Sequence, residues 1–270
     1  MKSLLYTVLF VAAIYLINRT YGILVSSLFT VIVLAVILYN RRATILTRLA
    51  NQAYYIKGNT QKAEKLYEAA YKTGIMTPQC KISYSSFCLR ENKFARGKKL
   101  LNEVINSRFS ESSDKLGAKH NLAVLLWREG DLEGAIGLLE TVHKQVPATN
   151  TYGTLGVLYL ERAKQGNPEE YLPFMLEAYE YNDSDKTICD NLGELYYILG
   201  EYEKAKEVYE KAMKLSFQTP VPYYNYGRVL KALGDKDGAL EYFEKALNCK
   251  FTAVMTITEE DVKEQIASLS

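Results

Sequence analysis

The sequence predicts an all-α protein, in which two apolar helices at the N-terminus precede a stack of antiparallel helix pairs. Three observations predict this fold class. The first forty residues carry almost no charge, the rest of the chain repeats with a period near 34 residues, and the repeats place small residues at fixed positions. Such a period is typical of helix pairs that bury their apolar faces only by stacking on their neighbours.

The apolar N-terminal region predicts a membrane anchor over residues 1–42. Residues 1–40 carry only Lys2 and Arg19 as charges, and both are basic. The apolar runs predict spans over about 3–18 and 21–39, which approach the roughly 20 residues that a bilayer crossing needs. Because the segment between them is very short, they are predicted to form a transmembrane helical hairpin. The lipid bilayer is thus the expected partner of residues 3–39.

This region has three other interpretations. The first run resembles a signal peptide with Lys2 at its start, although no small-x-small cleavage pattern follows it. The two runs also fit one long bent helix, or core helices of a water-soluble domain. A soluble core fits poorly, because the stretch from Leu4 to Tyr39 contains only one charged residue, Arg19. Whether one or two spans insert stays open.

The basic residues that follow the second run predict the orientation of the chain. Arg41, Arg42 and Arg48 come directly after it, and positively charged flanks stay on the cytoplasmic side of a membrane. A hairpin, or a cleaved signal followed by one span, would leave residues 41–270 on that side. The sequence therefore predicts an integral protein of the cell membrane with a cytoplasmic body.

Two segments in the C-terminal half align without gaps, Lys186–Thr219 and Pro220–Ala253. They share six positions: Asn at 6, Gly at 8 and 15, Ala at 20 and 27, and an aromatic residue at 24. The matching pairs are Asn191/Asn225, Gly193/Gly227, Gly200/Gly234, Ala205/Ala239, Tyr209/Phe243 and Ala212/Ala246. This pattern resembles the tetratricopeptide repeat.

Each shared position has a physical role. The small residues at 8, 20 and 27 are expected to let the two helices of one repeat approach closely. The aromatic residue at 24 is expected to fill the space against the next repeat. The glycine at 15 allows a left-handed or tight backbone between the two helices.

The same register, applied upstream, predicts six repeats over residues 44–253. Their boundaries are 44–77, 78–115, 116–148, 149–185, 186–219 and 220–253. In the fourth repeat Pro173 falls early in the second helix, which predicts a helix that starts late or bends. Residues 256–270 predict a capping helix, with Thr258 as its N-cap and Val262, Ile266 and Leu269 on one face.

The resemblance implies a right-handed superhelix whose concave groove is lined by the first helix of each repeat. Asparagines there are expected to hydrogen-bond a peptide backbone, and aromatic rings to anchor apolar side chains. That the asparagines only satisfy local polar groups remains an alternative. The candidate partner-binding residues are Asn121, Trp127, Arg128, Asn191, Glu194, Tyr197, Tyr224, Asn225, Arg228 and Lys231.

One known binding mode of such repeats is absent. Some relatives hold a C-terminal carboxylate with a Lys/Asn/Arg clamp, but the matching positions here hold Asp190, Glu194, His120 and Val124.

Charge also divides along the chain. Residues 41–120 hold 16 bases and 6 acids, and residues 121–270 hold 15 bases and 25 acids. We expect the basic repeats to lie near an anionic leaflet and the acidic repeats to face partners.

The sequence favours an interaction protein over an enzyme. It has two histidines, no paired C-x-x-C among its four cysteines, and no net charge after residue 40. These features argue against a metal site, a cofactor, catalysis and nucleic-acid binding. The predicted function is a membrane-anchored scaffold that binds a peptide or helix of a partner in the concave groove. The alternative is a non-catalytic regulatory or assembly subunit of a membrane enzyme or secretion complex, and self-association stays open.

Overall fold

The computed structural model describes residues 2–215, 217–251 and 255–269, with side chains from Val11 onward. Every regular element in this part of the chain is helical, which confirms the prediction of an all-α protein. The side chains of residues 3–10 in the first predicted span, the end of the sixth repeat at 252–253, and Ser270 lie outside the described residues. The chain divides into two units, residues 1–87 and 88–270.

The first unit begins with two helices, α1 (Lys2–Tyr21) and α2 (Ile23–Asn51). Gly22 separates them with a φ of +82°, a left-handed conformation that only glycine adopts without strain. The region is therefore not one continuous bent helix. Near the break the two helices meet, and Ser26 Oγ lies 3.4 Å from Asn18 Oδ1.

One helix among the described residues is long and apolar enough to cross a membrane, and it runs from Ile23 to Ile56. Only 6% of its apolar window is buried by the rest of the protein, so this stretch is not a core helix of the described chain. Its length and composition fit a membrane span or a signal sequence. The predicted two-span hairpin is not confirmed, because no second helix of this kind is found among the described residues.

The remainder of the first unit is a helix pair built on the end of α2. A single π-helical turn, Gln52–Ile56, extends α2, and α3 (Thr60–Lys72) folds back along it. Helix α4 (Pro78–Arg90) follows, and its residues up to Phe87 belong to this unit. Tyr67 and Tyr84 are fully enclosed in this core, with ring centroids 4.6 Å apart and nearly parallel planes.

The second unit is itself a series of helices. They are α5 (Phe94–Ile105), α6 (Ser112–Arg128), α7 (Leu132–Gln145), α8 (Thr149–Ala163), α9 (Leu172–Tyr181), α10 (Lys186–Ile198), α11 (Tyr202–Ala212), α12 (Pro220–Ala232) and α13 (Lys236–Leu247). Helix α6 begins at Ser112, four residues before the predicted repeat boundary at Leu116. The cause is local, since Asp114 in the first turn favours a helix N-terminus.

The turns inside the helix pairs share one backbone feature. Gly58, Gly130, Gly200 and Gly234 all have positive φ, and Asn92 takes the same conformation with a φ of 55°. These residues occupy position 15 of their repeats, so the predicted left-handed turn is confirmed. Asparagine is the non-glycine residue that tolerates this conformation best, together with aspartate.

The fourth pair differs as its proline predicts. A short 3-10 segment, Pro168–Tyr171, precedes α9, and Pro173 lies in the first turn of that helix. Proline is tolerated there because the first backbone N–H groups of a helix have no intrahelical partner. The second helix of this pair therefore starts late.

Helix α14 (Glu259–Ala267) covers the last pair. Its start is a capping box, in which Asp261 N donates to Thr258 Oγ1 at 3.2 Å and the Asp261 side chain accepts from Thr258 N. Val262 is fully buried against α12 and α13. Lys231 Nζ donates to Gln265 Oε1 at 2.9 Å, and these residues are separated by one repeat period. Helix α14 thus occupies the place of a further first helix.

Candidate functional site

The first helices of the last pairs enclose a cavity of about 620 Å³ in the second unit. Helices α8, α10 and α12 form its floor, while residues 255–257 and α14 close one end. Its lining comprises Val157, Leu160, Glu161, Lys164, Asp190, Asn191, Glu194, Tyr197, Val221, Tyr224, Asn225, Arg228, Met255, Thr256, Ile257, Asp261 and Gln265. A second cavity of about 340 Å³ shares Val157, Asp190, Asn191 and Val221 with it. The two cavities form one groove along these helices.

The two asparagines of the groove act as connectors between neighbouring repeats. Asn191 Nδ2 donates to the Gly153 carbonyl on α8 at 2.8 Å, and Asn225 Nδ2 donates to Asp190 Oδ1 at 3.2 Å. Both side chains are buried. A Cβ at Gly156 would lie 2.2 Å from Asn191 Nδ2, so Gly156 makes room for the first of these bonds.

A partly buried ion pair links α10 to α12. Arg228 Nη1 lies 3.1 Å from both carboxylate oxygens of Glu194, and the Glu194 side chain is only 9% exposed. The guanidinium also lies over two rings, 4.1 Å from the centroid of Tyr197 and 5.6 Å from that of Tyr224. Such contacts stabilise a desolvated cation. The arrangement fixes Arg228 between the aromatic walls.

A second carboxylate lies beside this pair. Asp190 Oδ1 accepts a hydrogen bond from Tyr209 OH at 2.9 Å and another from Asn225. Burial and the nearby Glu194 charge raise the pKa of Asp190 to about 7, although Asn225, Tyr209 and Arg228 act in the opposite direction. Burial also raises the pKa of Tyr209, so its hydroxyl stays a donor to this carboxylate.

We expect the free energy of unfolding to depend on pH because Asp190 ionises. The ordinary pKa of Asp190 is 3.8, and in the folded chain it is raised to about 7. The stability that the protonated Asp190 carboxyl contributes is therefore fully present below about pH 4 and is lost as pH rises through 7. Asp190→Asn keeps the Oδ1 acceptor and removes the charge. Relative to the parent chain, the variant should gain stability between about pH 5 and pH 8. Thermal unfolding of both proteins in detergent at pH 5 and pH 8 measures this. A difference in stability between variant and parent that is the same at both pH values would contradict it.

Six of the ten predicted groove residues line the cavity. They are Asn191, Glu194, Tyr197, Tyr224, Asn225 and Arg228. Lys231 instead binds the capping helix, through Gln265 and through Ser268 Oγ at 2.6 Å. Asn121, Trp127 and Arg128 on α6 are half-buried and lie outside this cavity. Trp127 packs against the core between α6, α7 and α8.

Asp190 is a polar residue of the groove that the sequence prediction missed. It occupies position 5 of its repeat, and the family resemblance implies that positions 2, 5, 6, 9, 12 and 13 face the groove, so the register contained the signal. Val157, Leu160, Glu161 and Val221 also fall at groove positions and line the cavity. The contribution of residues 255–257 and α14 follows only from how the C-terminal segment folds back, which the repeat pattern does not encode.

Comparison with known proteins finds repeats in two stretches of the chain. One tetratricopeptide repeat model matches residues 186–250, and a second matches residues 116–141. These two stretches of the chain are thus similar to tetratricopeptide repeats. Such repeats generally mediate protein–protein interactions, and their fold is typically a non-catalytic interaction module. No curated protein matches the sequence.

Solved structures share the tetratricopeptide fold with this chain. A thermophilic TPR protein of Thermus thermophilus, TTC0263, is 19% identical with a TM-score of 0.57, over 72% of this chain and 98% of that one. PilF of Pseudomonas aeruginosa is 16% identical with a TM-score of 0.59, over 77% of this chain and 91% of that one. At these identities the likeness establishes the fold alone.

Proposed function

We propose that the chain is a membrane-anchored scaffold that binds a peptide or helix of a partner protein in the groove of α8, α10 and α12. The observation that carries the proposal is the cavity between these helices, which presents Tyr197, Tyr224, Arg228 and Asp190 side by side. Rigid aromatic anchors beside placed polar groups are typical of protein-binding surfaces. The tetratricopeptide repeats support this reading, since interaction is their general role.

The anchor is the N-terminal helical region, and a hairpin of α1 and α2 is its proposed form. Its apolar side chains are exposed along most of α2; for example, Leu24 is 84% exposed. An aqueous surface of this kind is unfavourable, whereas a bilayer covers it. Arg41, Arg42 and Arg48 follow the apolar stretch and favour a cytoplasmic position for the repeats.

The binding test uses a groove tyrosine and a matched tyrosine outside the groove. Tyr224→Ala removes an aromatic wall of the cavity, whereas Tyr181→Ala removes an exposed ring from α9. Full-length protein is purified from membranes with its partners, and thermal unfolding verifies that both variants fold. We expect partner recovery to fall with Tyr224→Ala and to persist with Tyr181→Ala. Equal recovery in the two variants would refute binding in the groove.

The same exposed apolar faces favour a second candidate, a regulatory or assembly subunit whose helices contact those of a membrane complex. Replacing residues 1–39 with an unrelated membrane span separates the two. A scaffold keeps its partner after the exchange, because the groove is untouched. A subunit that binds through α1 and α2 loses its partner, although the repeats remain folded and membrane-attached.

A further inference from the structure

The groove cavity carries an excess of negative charge. It is lined by four acids and two bases, namely Glu161, Asp190, Glu194, Asp261, Lys164 and Arg228. Both bases are already paired, because Lys164 Nζ lies 3.0 Å from Glu161 and Arg228 lies 3.1 Å from Glu194. Asp261 is engaged in the capping box with Thr258. This leaves Asp190 as the lining carboxylate without a cation.

Asp190 is held in place by its neighbours on two other helices. Tyr209 of α11 and Asn225 of α12 both donate to Oδ1, and the described residues make no hydrogen bond to Oδ2. The position of the carboxylate is thus fixed before any ligand arrives, which lowers the entropic cost of binding. Val157 and Val221 line the same part of the groove. They supply an apolar wall next to the carboxylate.

The cavity already contains one cation of its own chain. Arg228 lies between the Tyr197 and Tyr224 rings and contacts the Glu194 carboxylate. Carboxylates and aromatic faces together are the groups that stabilise a guanidinium or ammonium away from bulk water. The same chemistry extends to Asp190, which forms no ion pair among the described residues, although Arg228 lowers its pKa and Lys186 lines the adjoining cavity.

We propose that this cavity receives a lysine or arginine side chain of the partner peptide, with its cationic group on Asp190 and its apolar stem along Val157 and Val221. Long basic side chains bury their methylene stems on apolar surface while the charged end seeks a polar partner. A clamp for a C-terminal carboxylate binds an anion, whereas this cavity binds a cation. The inference rests on the proposed function, since it names the residue that the groove recognises.

Peptide pools with one fixed central residue test this inference. Full-length protein in nanodiscs is incubated with pools of acetylated decapeptides whose centre is lysine, norleucine or glutamate. Norleucine keeps the apolar stem without the charge. Because a charge-assisted hydrogen bond is at stake, we expect about tenfold more retention of the lysine pool than of the norleucine pool.

The matched variants are Asp190→Asn and Asp183→Asn. Both remove one negative charge, but Asp183 is an exposed loop residue outside the cavity. The lysine preference should disappear in Asp190→Asn and persist in Asp183→Asn. A preference that survives in Asp190→Asn, or one that is absent from the parent protein, would overturn the inference.

The outcomes separate this inference from the proposed function. If all pools bind equally and Tyr224→Ala abolishes their retention, the groove binds peptides and the lysine preference is wrong. If the parent protein retains no pool above the level of Tyr224→Ala, both proposals are wrong. Thermal unfolding of each variant verifies that a lost signal does not come from unfolding.

Binding should also depend on pH in a defined direction. A cation binds the ionised carboxylate, and the pKa of Asp190 is raised to about 7 by burial and by Glu194. The other charged and titratable groups that line the groove or contact Asp190 are Glu161 on α8, Lys164 at the end of α8, Lys186 on α10, Tyr209 on α11, Arg228 on α12 and Asp261 on α14. Retention of the lysine pool should rise about tenfold between pH 6 and pH 8. Asp190→Asn should show no such rise, and a pH profile identical to that of the parent would contradict the role of Asp190.

Discussion

Two arginines in the middle of α2 are expected to remove the chain from the membrane. Val31 and Leu34 are exposed and lie near the centre of the apolar stretch. An arginine at the centre of a membrane span costs about 2.5–3.5 kcal/mol of insertion free energy. The double variant Val31→Arg/Leu34→Arg should therefore lose about 5–7 kcal/mol. The measurement is the fraction of protein that stays in membranes after carbonate extraction.

The matched control adds the same two charges outside the apolar stretch. Asn40 and Gln52 are exposed residues of the same continuous helical region. Asn40→Arg/Gln52→Arg should stay in the carbonate-resistant fraction, because basic residues are favourable on the cytoplasmic flank of a span. If the Val31/Leu34 variant stays in this fraction as well, α2 does not span the membrane.

Substituting alanine for Gly227 is expected to destabilise the last helix pair. A Cβ at this position would lie 2.6 Å from Phe243 Cε1, and Phe243 is fully buried. Overpacking of this kind costs about 1–3 kcal/mol, which exceeds the roughly 1 kcal/mol that alanine gains over glycine in a helix. We expect a net loss of up to about 2 kcal/mol in the free energy of unfolding.

Two further variants separate the effect of the clash between the Gly227→Ala methyl group and Phe243 from the general effect of replacing glycine by alanine in a helix. Gly137 lies in the middle of α7, and nothing approaches within 4 Å of its would-be Cβ. Gly137→Ala should stabilise the chain by about 0.5–1 kcal/mol through helix propensity alone. In a Phe243→Leu background the cost of Gly227→Ala should fall, because the two positions share one contact. Additive effects in this double-mutant cycle would show that the ring and the glycine are not coupled.

The repeat register predicted the contacts that hold neighbouring helices together. Tyr209 lies at position 24, and it packs both on Gly193 of its own repeat and on Tyr226 of the next, with ring centroids 5.4 Å apart. The sequence prediction named only the contact with the next repeat. A period of 34 fixes which residues stack, because each repeat must bury the face of its neighbour. The period does not by itself indicate that the Tyr209 ring also packs on Gly193 of its own repeat.

The candidate site was predictable by position and not by chemistry. Glu194 and Arg228 occupy the same position in successive repeats, so the period brings them together, yet the pattern does not reveal that they pair. Asn191 and Asn225 were expected to meet a peptide, whereas their Nδ2 groups bond within the chain. Side-chain partners depend on rotamers and on local burial, which periodicity leaves undetermined.

The most direct test of the account is photo-crosslinking of the full chain in living cells from inside and outside the groove. Benzoylphenylalanine at Tyr224 lies in the cavity, whereas at Leu240 it lies on the exposed side of α13. A partner held in the groove predicts a crosslinked adduct from position 224 and none from position 240. An adduct that forms only from position 240, or equally from both, would contradict binding in the groove.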